Sequence, residues 1–267
     1  MYWILRSGLL WCLAMMRVGR SLLMPTKKFL ITNKTGGSYS EKNSLVFLNS
    51  NKFFKDKKVI SVSPAGFYGF YVMGVCTYMK ENYDTNEFVF SGASAGAWNA
   101  LYMTLRTDPV FLKKLLVQNE RYRHKNIFQI EEEMKETILK YYTARDFDLD
   151  RLFIGVTTFG QTNIYTDFES LEDAIDCCIA SSHIPIVTGE MFHRYQNKCS
   201  FDGGFSESPY VNADQVALHL SPKMWNQNRN TGFHLLFQRG DLENLFQCGY
   251  RDTVLYGRAT LDAALAN

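Results

Sequence analysis

The stretch from Phe88 to Leu105, FVFSGASAGAWNALYMTL, fixes more of this chain's architecture than any other. Phe88-Val89-Phe90 is a short apolar run of β-forming residues, and Ala95 to Leu105 has the composition of a buried helix. Between them lies Gly92-Ala93-Ser94-Ala95-Gly96. A G-x-S-x-G pentapeptide between strand and helix is the context a nucleophile elbow requires. The serine sits at a sharp corner with its hydroxyl displayed, and small neighbours let strand and helix approach closely. Ser94 is therefore the candidate nucleophile, with Gly92 and Gly96 as the glycines of its turn. The competing explanation is a chance pentapeptide in an ordinary strand-to-helix connection.

The segment just upstream repeats the pattern. Val59 to Ser63 is a strand by β-branching and length, Pro64-Ala65-Gly66-Phe67-Tyr68-Gly69 is a turn, and Phe70 to about Tyr83 is a helix apolar nearly all round. Strand, turn, buried helix, strand, elbow, buried helix is a βαβα beginning, which implies a parallel sheet with crossover helices. Such sheets carry their sites at the carboxyl ends of the strands, where both turns fall.

Further along, Asp108 to Thr143 reads as helical, with Ile127, Ile130, Met134, Ile138 and Tyr141 on one face and the acid run Glu131 to Glu133 on the opposite, solvated one. Leu152 to Phe159 and Thr162 to Phe168 read as two strands joined through Gly160-Gln161. Ser170 with Asp173 signals the start of a helix that ends near His183, ahead of Pro185. Tyr195 to Phe201, Gln215 to Leu220 and Phe233 to Phe237 read as strands, and Asp241 to Ala266 as a final helix.

At 267 residues the chain suits one large α/β domain with an N-terminal extension. We place the extension at 1–58 and the domain at 59–267. Residues 1 to 24 are apolar with arginines and no acids, and their longest apolar run, Ser7 to Met16, is too short to span a bilayer. The segment fits a signal peptide, an Arg-rich transit peptide or an interfacial anchoring helix, that is, secretory-pathway or organelle targeting, or membrane attachment. Residues 32 to 58 read as a polar linker with one edge strand at Leu45 to Leu48. Of the 29 basic residues, six fall in the first 40 positions, leaving 23 against 27 acidic residues. A body of that sign has no field for gathering nucleic acid. The six cysteines show no C-x-x-C pair and the five histidines no metal-binding motif, so we expect no metal and no cofactor.

A serine hydroxyl becomes a nucleophile when a positioned base takes its proton, and the oxygen of the attacked ester needs donors to hold the developing charge. The turn after the first strand, with Gly66 and Gly69, can aim the amides of Ala65, Gly66 and Phe67 at an oxyanion, with Ala95 as a further donor; Pro64 cannot donate. An ordinary βα turn is the plainer alternative. For the base, Asp202 stands before Gly203 and Gly204, which let the backbone turn tightly. Ser94, then Asp202 or Asp214, then His219 or His234 would instead satisfy the order of a Ser-Asp-His triad, although both histidines sit in apolar strand-like runs.

Four ordered stretches resemble a known family in content, order and approximate spacing. They are Ser61-Val-Ser-Pro-Ala-Gly-Phe-Tyr-Gly-Phe-Tyr-Val-Met-Gly-Val75, Gly92-Ala-Ser-Ala-Gly-Ala97, Ser181-Ser-His-Ile-Pro185 and Asp202-Gly-Gly204. The family is that of the patatin-like phospholipases, in the flavour of its neutral-lipid, adipose triglyceride lipase-like branch. The resemblance spans about residues 59 to 210, with a weaker echo in Leu245-Phe-Gln-Cys-Gly-Tyr-Arg-Asp252. It implies a three-layer α/β/α sandwich with a mainly parallel central sheet, and a Ser-Asp dyad that falls on Ser94 and Asp202. It also implies an oxyanion turn at residues 64 to 69, an acyl-lipid substrate, and work at a membrane or lipid-droplet surface. Two positions depart from the family pattern: Pro64 replaces its first glycine, and Tyr68 replaces the basic residue common in plant and bacterial members. A lipid-surface protein without catalysis, its oxyanion turn impaired by Pro64, is the rival reading. The aromatic residues Phe67, Tyr68, Phe70, Tyr71 and Trp98 surround both turns and suit either an acyl pocket or the core.

Overall fold

In the computed structural model of the chain, residues 57–107, 125–158, 161–206, 208–211, 216–225 and 241–265 are described, together with Val117, Tyr122 and the backbone of 30–32 and 38–39. Alternation of apolar residues in three short strands organises the whole. In β3 (Lys58–Val62), β4 (Phe88–Gly92) and β5 (Leu152–Thr158), successive side chains point to opposite faces of one sheet. Ile60, Phe88, Phe90, Leu152 and Ile154 join the main core, while Val59, Val89 and Phe153 gather on the other face with Ile164 and Val211. Every residue of β4 is buried, as expected of a strand covered on both sides.

The sheet has seven strands, in the order β2 (Ser38–Tyr39), β1 (Leu30–Thr32), β6 (Gln161–Tyr165), β5, β4, β3 and β9 (Val216–Leu220). Strands β3, β4 and β5 pair parallel, and β9 joins β3, also parallel. The two strands expected on either side of Gly160-Gln161 are β5 and β6, and the structure pairs them antiparallel. Beyond β6 lie β1 and β2, within the stretch assigned above to the N-terminal extension. Residues 1–24, the edge strand expected at Leu45 to Leu48 and the strand expected at Phe233 to Phe237 lie outside the described residues, as does most of 108–124.

The helices α1 (Gly69–Asn82) and α2 (Ala95–Met103) follow β3 and β4, which fulfils the βαβα expectation. The main core also takes in α3 (Ile127–Tyr141) and α4 (Leu171–Ser181). Ser170 caps α4 by accepting from the Asp173 amide at 3.0 Å. The apolar face of α3 differs from the sequence reading at two places. Tyr141 is exposed and its neighbour Tyr142 is buried instead, and Glu131 faces inward. Lys135 ties α3 to α4 through Asp176 at 2.7 Å and Glu172 at 3.0 Å.

The single strand expected from Tyr195 to Phe201 is two. β7 (His193–Tyr195) and β8 (Lys198–Ser200) form a hairpin around Gln196 and Asn197, both of which have positive φ, 46° and 61°. A two-residue loop with both φ positive is the turn whose twist matches a hairpin. The long C-terminal helix is likewise two, α5 (Leu242–Tyr256) and α6 (Arg258–Leu265), divided at Gly257, against which Trp225 packs. The weaker echo in the sequence turns out to be the seat of α5 on α1. A Cβ at Gly249 would overlap the Tyr71 carbonyl, one at Gly74 would overlap that of Phe246, and the Tyr71 hydroxyl donates to Asp252 at 2.9 Å. Among the described residues no helix is long and apolar enough to cross a membrane.

Candidate active site

β4 ends at Gly92 and α2 begins at Ala95, so the chain must reverse within two residues. Ser94 takes that corner with φ 55° and ψ −133°, a conformation few residues with a side chain adopt and one that costs roughly 1–3 kcal/mol. Tight packing holds it there. A Cβ at Gly96 would overlap the Val62 carbonyl, so α2 can start this close to the end of β3 only with glycine at that position. The Ser94 amide donates to Ser181 Oγ at 2.8 Å, and Ser181 donates in turn to the Gly155 carbonyl at 2.7 Å.

Asp202 arrives from 108 residues further along the chain. Phe201 bridges Thr157, near the carboxyl end of β5, with backbone hydrogen bonds of 3.1 and 2.8 Å. The Asp202 amide then donates to the His183 carbonyl at 2.7 Å. Close packing sets the loop that follows, since a Cβ at Gly203 would overlap the Gly155 carbonyl. One at Gly204 would stand 2.8 Å from Asp202 Oδ1 and 2.9 Å from Pro64. Pro64, the departure from the family's first glycine, is thus packed against the aspartate loop.

These placements bring Ser94 Oγ to 2.6 Å from Asp202 Oδ2, to which it donates, while Oδ1 accepts from the Gly204 amide, also at 2.6 Å. Both side chains are buried. Burial pushes the Asp202 carboxyl up to about 6, against the Ser94 hydroxyl and Gly204 amide, which favour the carboxylate. A carboxylate so raised is a stronger base than one in water.

Among the described residues no histidine hydrogen-bonds to Ser94. His219 bonds instead to Ser61 Oγ at 2.7 Å, on the neighbouring strand β3. Asp214 and His234 lie outside the described residues.

The turn after β3 forms a short 3-10 helix, Gly66–Tyr68, that runs into α1, with Gly66 at φ 51°. The Tyr68 amide closes on the Ala65 carbonyl at 3.0 Å, so the amides of Gly66 and Phe67 are the opening donors of that turn, with no carbonyl inside it to pair with. Ala95 is likewise the first residue of α2. Gly66, Phe67 and Ala95 line one cavity together with Ser94 and Asp202. Ala65 is buried and is not among its lining residues. Gly69 lines it too, close enough to α2 that a Cβ there would stand 2.8 Å from that of Ala95.

The rest of the cavity is mostly apolar, walled by Phe70, Met73, Trp98, Leu101, Ile130 and Met134. Of the five aromatic residues singled out from the sequence, Phe67, Phe70 and Trp98 line it; Tyr68 and Tyr71 do not. Two residues here have no individual role in the sequence motifs. Ser181 belongs to the Ser181–Pro185 stretch, and its hydroxyl accepts from the Ser94 amide. Glu131 belongs to an acid run that composition places in solvent, yet it is buried, 6% exposed, and lines the cavity. Its position carries the signal, for it adjoins Ile130 and stands three residues before Met134 on the inward face of α3.

Fold and site together define an α/β protein with a mainly parallel central sheet, flanking helices and a hydrogen-bonded serine–aspartate pair at the carboxyl edge of that sheet. The chain belongs to the patatin-like phospholipase family, whose model matches residues 60–214. Its α/β architecture is consistent with that family's α/β/α fold. Membership supports lipid acyl hydrolysis in general terms. A human protein, 1-acylglycerol-3-phosphate O-acyltransferase PNPLA3, is 24% identical over 179 residues, which is 61% of this chain and 37% of the human one. The chain thus spans little more than a third of that relative's length.

Proposed function

We propose that the protein hydrolyses acyl esters of lipids through a dyad of Ser94 and Asp202. The observation that carries this reading is the 2.6 Å hydrogen bond from Ser94 Oγ to Asp202 Oδ2 inside an apolar cavity. Asp202 accepts the Ser94 proton as Oγ attacks the ester carbonyl, and the amides of Gly66, Phe67 and Ala95 receive the oxyanion. Collapse of the tetrahedral adduct expels the alcohol, which takes the proton back from Asp202, and leaves an acyl-enzyme. Water then attacks with Asp202 again as base, and the acid and free serine are released. The apolar wall suits an acyl chain, and the membrane or lipid-droplet surface supplies the substrate.

The acyl-enzyme would equally transfer its acyl group to a bound lipid alcohol, the kind of reaction for which the human relative is named. Purified protein and its Ser94→Ala variant, assayed on a panel of triacylglycerol, phospholipid and galactolipid with and without a lysophosphatidic acid acceptor, test the proposal. Serine-dependent release of fatty acid supports hydrolysis, and serine-dependent acylation of the acceptor supports transfer. Equal turnover by the variant removes both.

A further inference from the structure

Glu131 has no part in the dyad chemistry, yet its side chain lies in the same cavity as Ser94 and Asp202. It reaches inward from α3 toward the polar groups of Ser182 and Trp98, and is only 6% exposed. Around it stand Ile130 and Met134 of its own helix, Trp98 of α2, and Cys178 and Ser182 at the end of α4. The proton count at this point is informative. Trp98 Nε1 donates to Ser182 Oγ at 3.1 Å, and Ser182 Oγ donates to the Cys178 carbonyl at 2.9 Å. Both hydrogens are thus directed at groups other than the Glu131 carboxyl.

The electrostatics agree. Asp202, from the loop after β8, and Glu132, on the same helix, are both acids. Cys178 is fully buried and its thiol is raised, so it stays neutral. Lys135, one turn along α3, is bound to Asp176 and Glu172. Burial pushes the Glu131 carboxyl up to about 8, opposed by the nearby polar groups of Ser182 and Trp98 and reinforced by Asp202 and Glu132.

We propose that Glu131 is a specificity-determining residue of this cavity: its neutral carboxyl completes the apolar wall, and a long acyl chain enters only while that carboxyl keeps its proton. The inference rests on reading the cavity as the acyl site. A chain lying against Glu131 displaces the water that would solvate a carboxylate there, so chain and charge exclude one another. Chain binding at alkaline pH therefore takes up a proton at Glu131, as linkage between the two equilibria requires.

The test uses a pyrene-labelled long-chain fatty alcohol, which carries no charge and no ester, and so reports binding without hydrolysis. Its affinity for the wild-type protein should fall about 30-fold between about pH 7 and about pH 9.5, the ratio that one ionisation near pH 8 imposes when only the neutral form binds. In E131Q, which cannot ionise, the fall should stay under about twofold. Calorimetry near pH 9 in two buffers of different ionisation enthalpy should show proton uptake in the wild type that E131Q lacks. E131M takes its place if E131Q does not fold. A wild-type affinity independent of pH, or a parallel fall in the variant, overturns the inference. Esterase activity without the Glu131-dependent response sinks this inference alone. The response without esterase activity sinks only the hydrolase reading.

Discussion

Ser94 and Asp202 are 108 residues apart in the chain, yet the hydroxyl of one donates to the carboxylate of the other across 2.6 Å. A strained corner fixes one partner and a glycine-rich loop the other. The pair is thus in direct contact, at a distance suited to proton transfer.

Replacing either partner should stop the proposed reaction. Ser94→Ala and Asp202→Asn are each expected to lower kcat on a short-chain nitrophenyl ester by about a thousandfold or more, since the two act as a unit. Circular dichroism should show both variants folded. Near-normal turnover in either would remove the dyad.

If Asp202 is the base, as proposed, its carboxyl, raised to about 6, should set the acid limb of the rate profile. Only the carboxylate accepts a proton, so kcat/KM on the same short ester should rise about tenfold per unit up to about pH 6 and level off above it. A plateau reaching down to pH 4 would mean that another group is the base.

Ser181 joins the Ser94 amide to the Gly155 carbonyl, and all three are buried. Ser181→Ala removes the hydroxyl's bonds to the Ser94 amide and the Gly155 carbonyl and is expected to cost about 2 kcal/mol of stability. Relaxation of the Ser94 corner should lower kcat more than it changes KM. Urea unfolding and steady-state kinetics measure the two effects separately.

Glu131 also makes stability depend on pH. Its folded value of about 8 lies above the ordinary 4.5, so the native state binds this proton more tightly than the unfolded chain. Stability from this source is therefore present in acid and lost as the pH rises from about 4.5 to about 8. The unfolding free energy of E131Q relative to wild type, from urea titrations, should climb through that window and level off above it, by an amount on the order of a few kcal/mol. A constant difference between the two proteins across the window would show that Glu131 does not titrate there.

The legible parts of this fold were those that local pattern specifies. β3, α1, β4 and α2 follow one another with turns whose glycines are dictated by close packing, and the elbow's residues announce its geometry. Asp202 was found through its glycines and the family resemblance. The missed features depend on relations a linear reading does not weigh. Gln196-Asn197 falls inside the run that reads as one strand from Tyr195 to Phe201, yet those two residues turn a hairpin. Glu131 was assigned by charge rather than by position, and a place on the inward face of a helix outweighs charge when Ser182 and Trp98 wait there with hydrogen-bonding groups. Tyr141 lost its expected burial to Tyr142, beyond the last helical turn, where the periodicity no longer holds.

The Gly155 carbonyl touches both halves of the site, through Ser181 on the nucleophile's side and through Gly203 on the carboxylate's. One peptide group in the middle of β5 thus serves as a common datum for two loops. When the sheet breathes, serine and aspartate ride on the same reference point, and their separation is conserved better than their absolute position. Tolerance of the site to distant mutations should accordingly be judged by whether that one peptide plane is tilted.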